Sequence, residues 1–130
     1  METDVFSPKG RIRRSTYWER MIAVATIGIL VNIMVETEIL NFGLSTIIHP
    51  TLGAFTIIQG IKRMHDVDKS GWYQIIPIYG FVLSITDGTP GNNEYGENPK
   101  EKKGEPQVDV VLMTLLIILF ITCGVYALLA

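Results

Sequence analysis

Charge is scarce in this sequence. Only 18% of its 130 residues are Asp, Glu, Lys or Arg, while 48% are hydrophobic. Water-soluble domains usually carry about 25% charged residues. The shortfall points to a chain that water does not solvate throughout. Cysteine is almost missing too. A single Cys123 excludes an intrachain disulfide and a multi-cysteine zinc site. Set in an apolar run, it reads as a small buried hydrophobe. The net charge of −2 and pI near 5.6 leave no basic footprint for nucleic acid. No internal repeat and no GxxxG pair for helix dimerisation occurs.

What is present is uncharged sequence in blocks. Four windows lack Asp, Glu, Lys and Arg: residues 21–35, 39–61, 70–86 and 110–130. A bilayer core of about 30 Å takes about 20 helical residues. The second and fourth windows reach that length. The first does so if Arg20 snorkels and Tyr17 and Trp18 sit at the interface. Residues 110–121 contain one polar side chain, Thr114, so that segment has no face to turn to water. The first apolar run lacks a small-residue cleavage motif and is read as a span, not a signal peptide.

The third window is short and interrupted by Pro77 and Gly80. It is expected either to span with a kink or to dip in and return. The expected architecture is an all-α membrane protein: one transmembrane domain, residues 1–130, with three full transmembrane helices plus this short segment. Its parts are a cytoplasmic basic arm at 1–16 and helices at 17–35 and 39–61. A motif loop at 62–71, the short apolar segment at 72–86, a polar Gly/Pro-rich link at 87–109 and a terminal helix at 110–130 complete it. Lys9, Arg11, Arg13, Arg14 and Arg20 crowd the N-terminal arm, and Lys62, Arg63 and Lys69 the motif loop. Basic residues favour the cytoplasmic side, so the N-terminus is expected there. Whether Lys100, Lys102 and Lys103 lie inside or outside depends on the third segment.

The densest polar stretch, KRMHDVDKSGWY, starts at Lys62. It has three readings. As a metal site, His65, Asp66 and Asp68 offer one nitrogen and two carboxylates, but neighbouring helical side chains diverge by about 100°. As a catalytic pair, His65 is the base and Asp66 or Asp68 its orienter, with Ser70 or water as nucleophile, yet no oxyanion loop accompanies them. As a cap, Lys62 and Arg63 complement a helix C-terminus, and Asp68 or Ser70 starts the next helix. Gly71 then permits a turn, and Trp72 and Tyr73 form an aromatic interface pair like Tyr17 and Trp18. The cap is the reading adopted, with no metal, no cofactor and no catalytic residue. Arg11 or Arg14 is a candidate partner for Asp66 and Asp68, because arginine suits bidentate carboxylate binding. Within the apolar windows, Asn32 and His49 are expected to form an interhelical hydrogen bond.

Two stretches together carry a resemblance. They are FSPKGRIRRSTYW, from Phe6, and KRMHDVDKSGWYQIIPIYG followed by DGTPGNNEYGENP. They are similar to the two signatures of the domain-of-unknown-function 805 family of small bacterial inner-membrane proteins, over about residues 6–99. The resemblance implies a multi-pass bacterial plasma-membrane protein and no activity. Two departures are the short third segment and the additional helix after residue 109. The expected function is non-enzymatic: an accessory subunit, scaffold or oligomer in contact with membrane lipids and a membrane-protein partner or a second copy. The alternative is a lipid-headgroup or small-ligand site built from Arg11, Arg14, Lys62, Arg63, His65 and Asp66. An enzyme or transporter ranks below both.

Overall fold

A computed structural model describes residues 5–101 and 110–129. They form four α-helices: α1 (Arg14–Glu36), α2 (Phe42–Asp66), α3 (Pro77–Ile85) and α4 (Val110–Leu129). A 3-10 helix, Gly71–Ile75, precedes α3. Among the described residues there is no strand, only an isolated bridge between Asn93 and Gly96.

At 1.5 Å per residue, α1 and α2 are roughly 35 Å long, enough to cross a bilayer core. Both are apolar enough as well, and only 11% and 17% of their apolar windows are buried within the protein. A core helix of a water-soluble protein is covered by its neighbours; these are not. α4 carries a shorter apolar stretch, Leu115–Leu129.

The ends of these helices follow from local chemistry. The Asn41 side chain accepts the Gly43 N–H at 2.6 Å, so α2 starts at Phe42. It runs through Pro50, a substitution membrane helices tolerate. It also runs on to Asp66, so residues 62–66 of the expected motif loop are the last turn of a helix. Asp68 ends it. With φ at 59°, Asp68 takes the left-handed position, its N–H donates to the His65 carbonyl, and the Lys69 N–H donates to the Met64 carbonyl. That pairing is a Schellman stop with aspartate where glycine is usual.

The third apolar window is not one helix. Ser70 occupies the position before the 3-10 helix but makes no side-chain cap. Ile76 is extended, and Pro77 opens α3, where its missing N–H costs nothing. The nine residues of α3 rise only about 14 Å. The 3-10 helix lies close to α3: a Cβ at Gly80 would stand 2.9 Å from the Gln74 carbonyl oxygen. At Pro77, where a kinked span or a re-entrant turn is expected, the chain breaks between two short helices.

Contacts divide the chain into two units. The first comprises the described residues of Met1–Trp18 and Phe55–Gln107; the second those of Glu19–Ala54 and Val108–Ala130. In the first, Met64, Val67 and Leu83 form a small apolar core, and Ile12 is also buried. In the second, Val31 and Cys123 are buried, and the thiol is free.

Candidate functional site

Beside its small apolar core, the first unit buries charge. Arg63 is 0% exposed, Lys62 1%, Asp66 2% and Arg11 4%. Burial of this kind is tolerated only where the charges are paired and hydrogen-bonded. Both conditions are met. Asp66 stands between two guanidiniums. Arg11 Nε donates to Oδ1 at 3.1 Å, and Arg63 Nη1 pairs with Oδ2.

The remaining guanidinium donors go to backbone carbonyls. Arg11 Nη1 donates to Gly91 O at 2.8 Å and Gly96 O at 3.3 Å, and its Nη2 to Thr89 O at 2.7 Å. Arg63 Nε donates to Ser84 O at 3.2 Å, Nη1 to Ile12 O at 3.3 Å, and Nη2 to Thr86 O. Arg14 Nη1 reaches Ile85 O at 2.9 Å. Arg63 and Arg14 thus cap the C-terminus of α3, whose last carbonyls have no helical partner and carry the negative end of the dipole. Arg11, Arg63 and Asp66 together carry one positive charge, and the carbonyl dipoles around the two guanidiniums offset it.

The link after α3 is drawn onto the same point. The Thr89 N–H donates to the Asp66 carbonyl at 2.8 Å. Asn93 Nδ2 donates to the His65 carbonyl and to Thr89 Oγ1, both at 2.9 Å. Gly88 packs so closely on the Asp66 carboxylate that a Cβ there would overlap it. Arg13 donates to Pro99 O at 3.0–3.1 Å. On the other side, Gln59 Nε2 holds the Val5 carbonyl at 2.8 Å. One aspartate therefore ties together the N-terminal arm, the end of α2, the end of α3 and the link.

His65 does not face Asp66. Its Nδ1 lies 3.2 Å from the Gly10 carbonyl oxygen, so Nδ1 carries the proton. Its ring stacks on Tyr95, with centroids 3.9 Å apart and planes 7° from parallel. The uncharged part of α2 ends at Ile61, and His65 belongs to the polar region beyond it. Burial pushes its pKa below the ordinary 6.5, opposed by the Gly10 hydrogen bond.

These placements bear on each reading of the motif. The His65–Asp66 dyad does not form, because each partner is engaged elsewhere. His65, Asp66 and Asp68 do not converge, since Asp68 is exposed at the helix stop. Among the described residues no group of three or more His, Cys, Asp or Glu is arranged to hold a metal. Arg11 is joined to Asp66; Arg14 instead pairs with the exposed Asp87 at 3.3 Å. Arg11, Lys62 and Arg63 are sealed from any headgroup. Gly71 packs against Ile61, Trp72 is exposed, and Tyr73 meets Tyr79. Tyr17 and Trp18 touch edge to face, and Trp18 reaches Phe81. His49 Nδ1 bonds the Ser45 carbonyl one turn back on its own helix, at 2.9 Å, not Asn32, which is exposed.

Gly88, Thr89 and Asn93 belong to a stretch that carries the family resemblance but are not among the candidate site residues of the sequence. Their signal was the spacing Gly88-x-x-Gly91-x-Asn93-x-Tyr95-Gly96, which reads as turns until the aspartate it wraps is known.

Residues 5–97 match the family model described as "Protein of unknown function (DUF805)". This chain belongs to that family. The match contains every residue bonded to Asp66 and stops before α4. Among curated relatives, the DUF805 chain is 30% identical to the inner membrane protein YhaI of Escherichia coli (strain K12) over 100 residues. That covers 70% of this chain and 84% of YhaI. It is also 30% identical to the inner membrane protein YhaH of the same strain over 105 residues, covering 71% and 86%. No solved structure matches.

Proposed function

We propose that this chain is a multi-pass inner-membrane protein without catalytic activity, acting by association as an accessory subunit, scaffold or homo-oligomer. The observation that carries the reading is the state of the polar cluster. The groups that could do chemistry, Arg11, Arg63 and Asp66, are buried and engaged with one another and with the backbone. A cluster satisfied from within maintains a shape. The two relatives named as inner membrane proteins support the location.

In this reading α1, α2 and α4 cross the membrane, and the 3-10 helix with α3 stays on the side of the N-terminal arm. All 11 basic residues then lie on that side, which the distribution of Lys and Arg assigns to the cytoplasm. A cysteine at position 130, in a Cys123→Ser background, is expected to react with an impermeant reagent from the periplasm. Purification in mild detergent is expected to give a mass above the monomer or a co-purifying protein. A bare monomer with no companion contradicts association.

A further inference from the structure

A second feature of the same unit is not used by the buried cluster. A cavity of about 430 Å³ opens between the N-terminal arm, the last turns of α2 and the link. That volume lies within the range of small-molecule sites. Pro8 and Ile61 give it apolar walls, and the stacked His65 and Tyr95 rings another. Lys9 and Glu94 also line it. Both are exposed, and they do not pair with each other.

A cation and an anion at one cavity select against ligands of a single sign, because either would face a like charge. A ligand bearing both signs satisfies both. The location narrows the class further. Ile61 is the last residue of the uncharged segment of α2, and the polar region begins at Lys62. In the proposed membrane placement the cavity lies where apolar chain gives way to polar headgroup.

We propose that this cavity binds a zwitterionic aminoalkyl phosphate, with the Lys9 ammonium on the phosphate, Glu94 on the amine, and Pro8, Ile61 and the His65–Tyr95 stack as walls. The proposal goes beyond the association reading and rests only on its membrane placement. It also differs from a site made of the buried arginines, whose donors are taken. The same chemistry has two sources, a phosphatidylethanolamine headgroup or soluble phosphoethanolamine.

The test is native mass spectrometry of the full chain in mild detergent, with phosphatidylethanolamine and phosphatidylglycerol of identical acyl chains. The wild type is expected to retain the ethanolamine lipid preferentially. Lys9→Ala and Glu94→Ala are each expected to lower that retention by about tenfold, the effect of losing one charge-assisted hydrogen bond. Glu97→Ala, outside the cavity, retains it. Unchanged helical circular dichroism verifies that each variant is folded. Soluble phosphoethanolamine at millimolar concentration distinguishes the sources. Binding of the lipid alone assigns the membrane source, and binding of the soluble compound without lipid assigns the free one. Equal retention of both lipids together with no binding of soluble phosphoethanolamine, or wild-type binding by both cavity variants, overturns the proposal.

Discussion

Asp66 is the residue on which the first unit turns. It is buried, it pairs with Arg11 and Arg63, and its own carbonyl receives Thr89. Replacing a buried, paired carboxylate leaves two guanidiniums without their anion. Asp66→Ala is expected to destabilise the protein by about 3–5 kcal/mol, the usual cost of breaking a buried pair. Urea or thermal unfolding in detergent measures it. Gly88→Ala has a different cause and a similar target. Its methyl group overlaps the carboxylate, so the link must move off α2. A loss of about 1–3 kcal/mol is expected from that overpacking. At His65 the effect is on pH. Its pKa in the folded protein is lowered by burial, so the unfolded chain binds the proton more readily. The stability it contributes is complete above the ordinary value of 6.5 and is lost as pH falls through the lower folded value. His65→Gln is expected to flatten the pH dependence of unfolding below about pH 6.5. An unchanged slope contradicts the assignment.

At the scale of elements, the helix stops decide how the chain is laid out. Aspartate at φ 59° makes a Schellman turn at some conformational cost, which glycine avoids. Asp68→Gly is therefore expected to raise stability by about 0.5–1 kcal/mol. If Asp68 were instead a ligand or a helix-starting cap, the same change would lower stability or abolish binding. The sequence displayed the long helices because uncharged runs are a one-dimensional signal. It displayed less of the third window. Pro77 and Gly80 announced an interruption there. Whether the chain kinks or breaks depends on how Gly80 approaches the Gln74 backbone, which no local pattern records. The motif residues gave a similar partial view. Lys62 and Arg63 were legible as a basic pair at the end of α2, but Arg63 gives its donors to the carbonyls of Ile12, Ser84 and Thr86. Arg11 was legible as a candidate partner of Asp66; the carbonyls of Thr89, Gly91 and Gly96 that take its other donors were not, because no local pattern says which carbonyls a distant guanidinium will meet.

For the whole molecule, two kinds of surface and interior meet in one short chain. Long apolar helices leave most of their side chains uncovered, as segments facing lipid do. The polar unit has the opposite design, with charge inside and carbonyls arranged around it. The DUF805 family match covers most of the second, through residue 97, and stops before α4. The family match thus encloses the polar unit's charge cluster as well as α1 and α2, and α4 lies beyond it.

The central claim is that Asp66 holds the arm, the helix ends and the link together as one folded body. Hydrogen–deuterium exchange on the detergent-solubilised full chain tests it most directly, comparing wild type with Asp66→Ala. The wild-type amides of Thr89, Asn93 and Gly96, which donate to backbone carbonyls, are predicted to be protected. In the variant, protection is predicted to disappear there and in residues 10–13 together, while the interior of α1 exchanges as before. Wild-type protection of both segments in the variant would contradict the account.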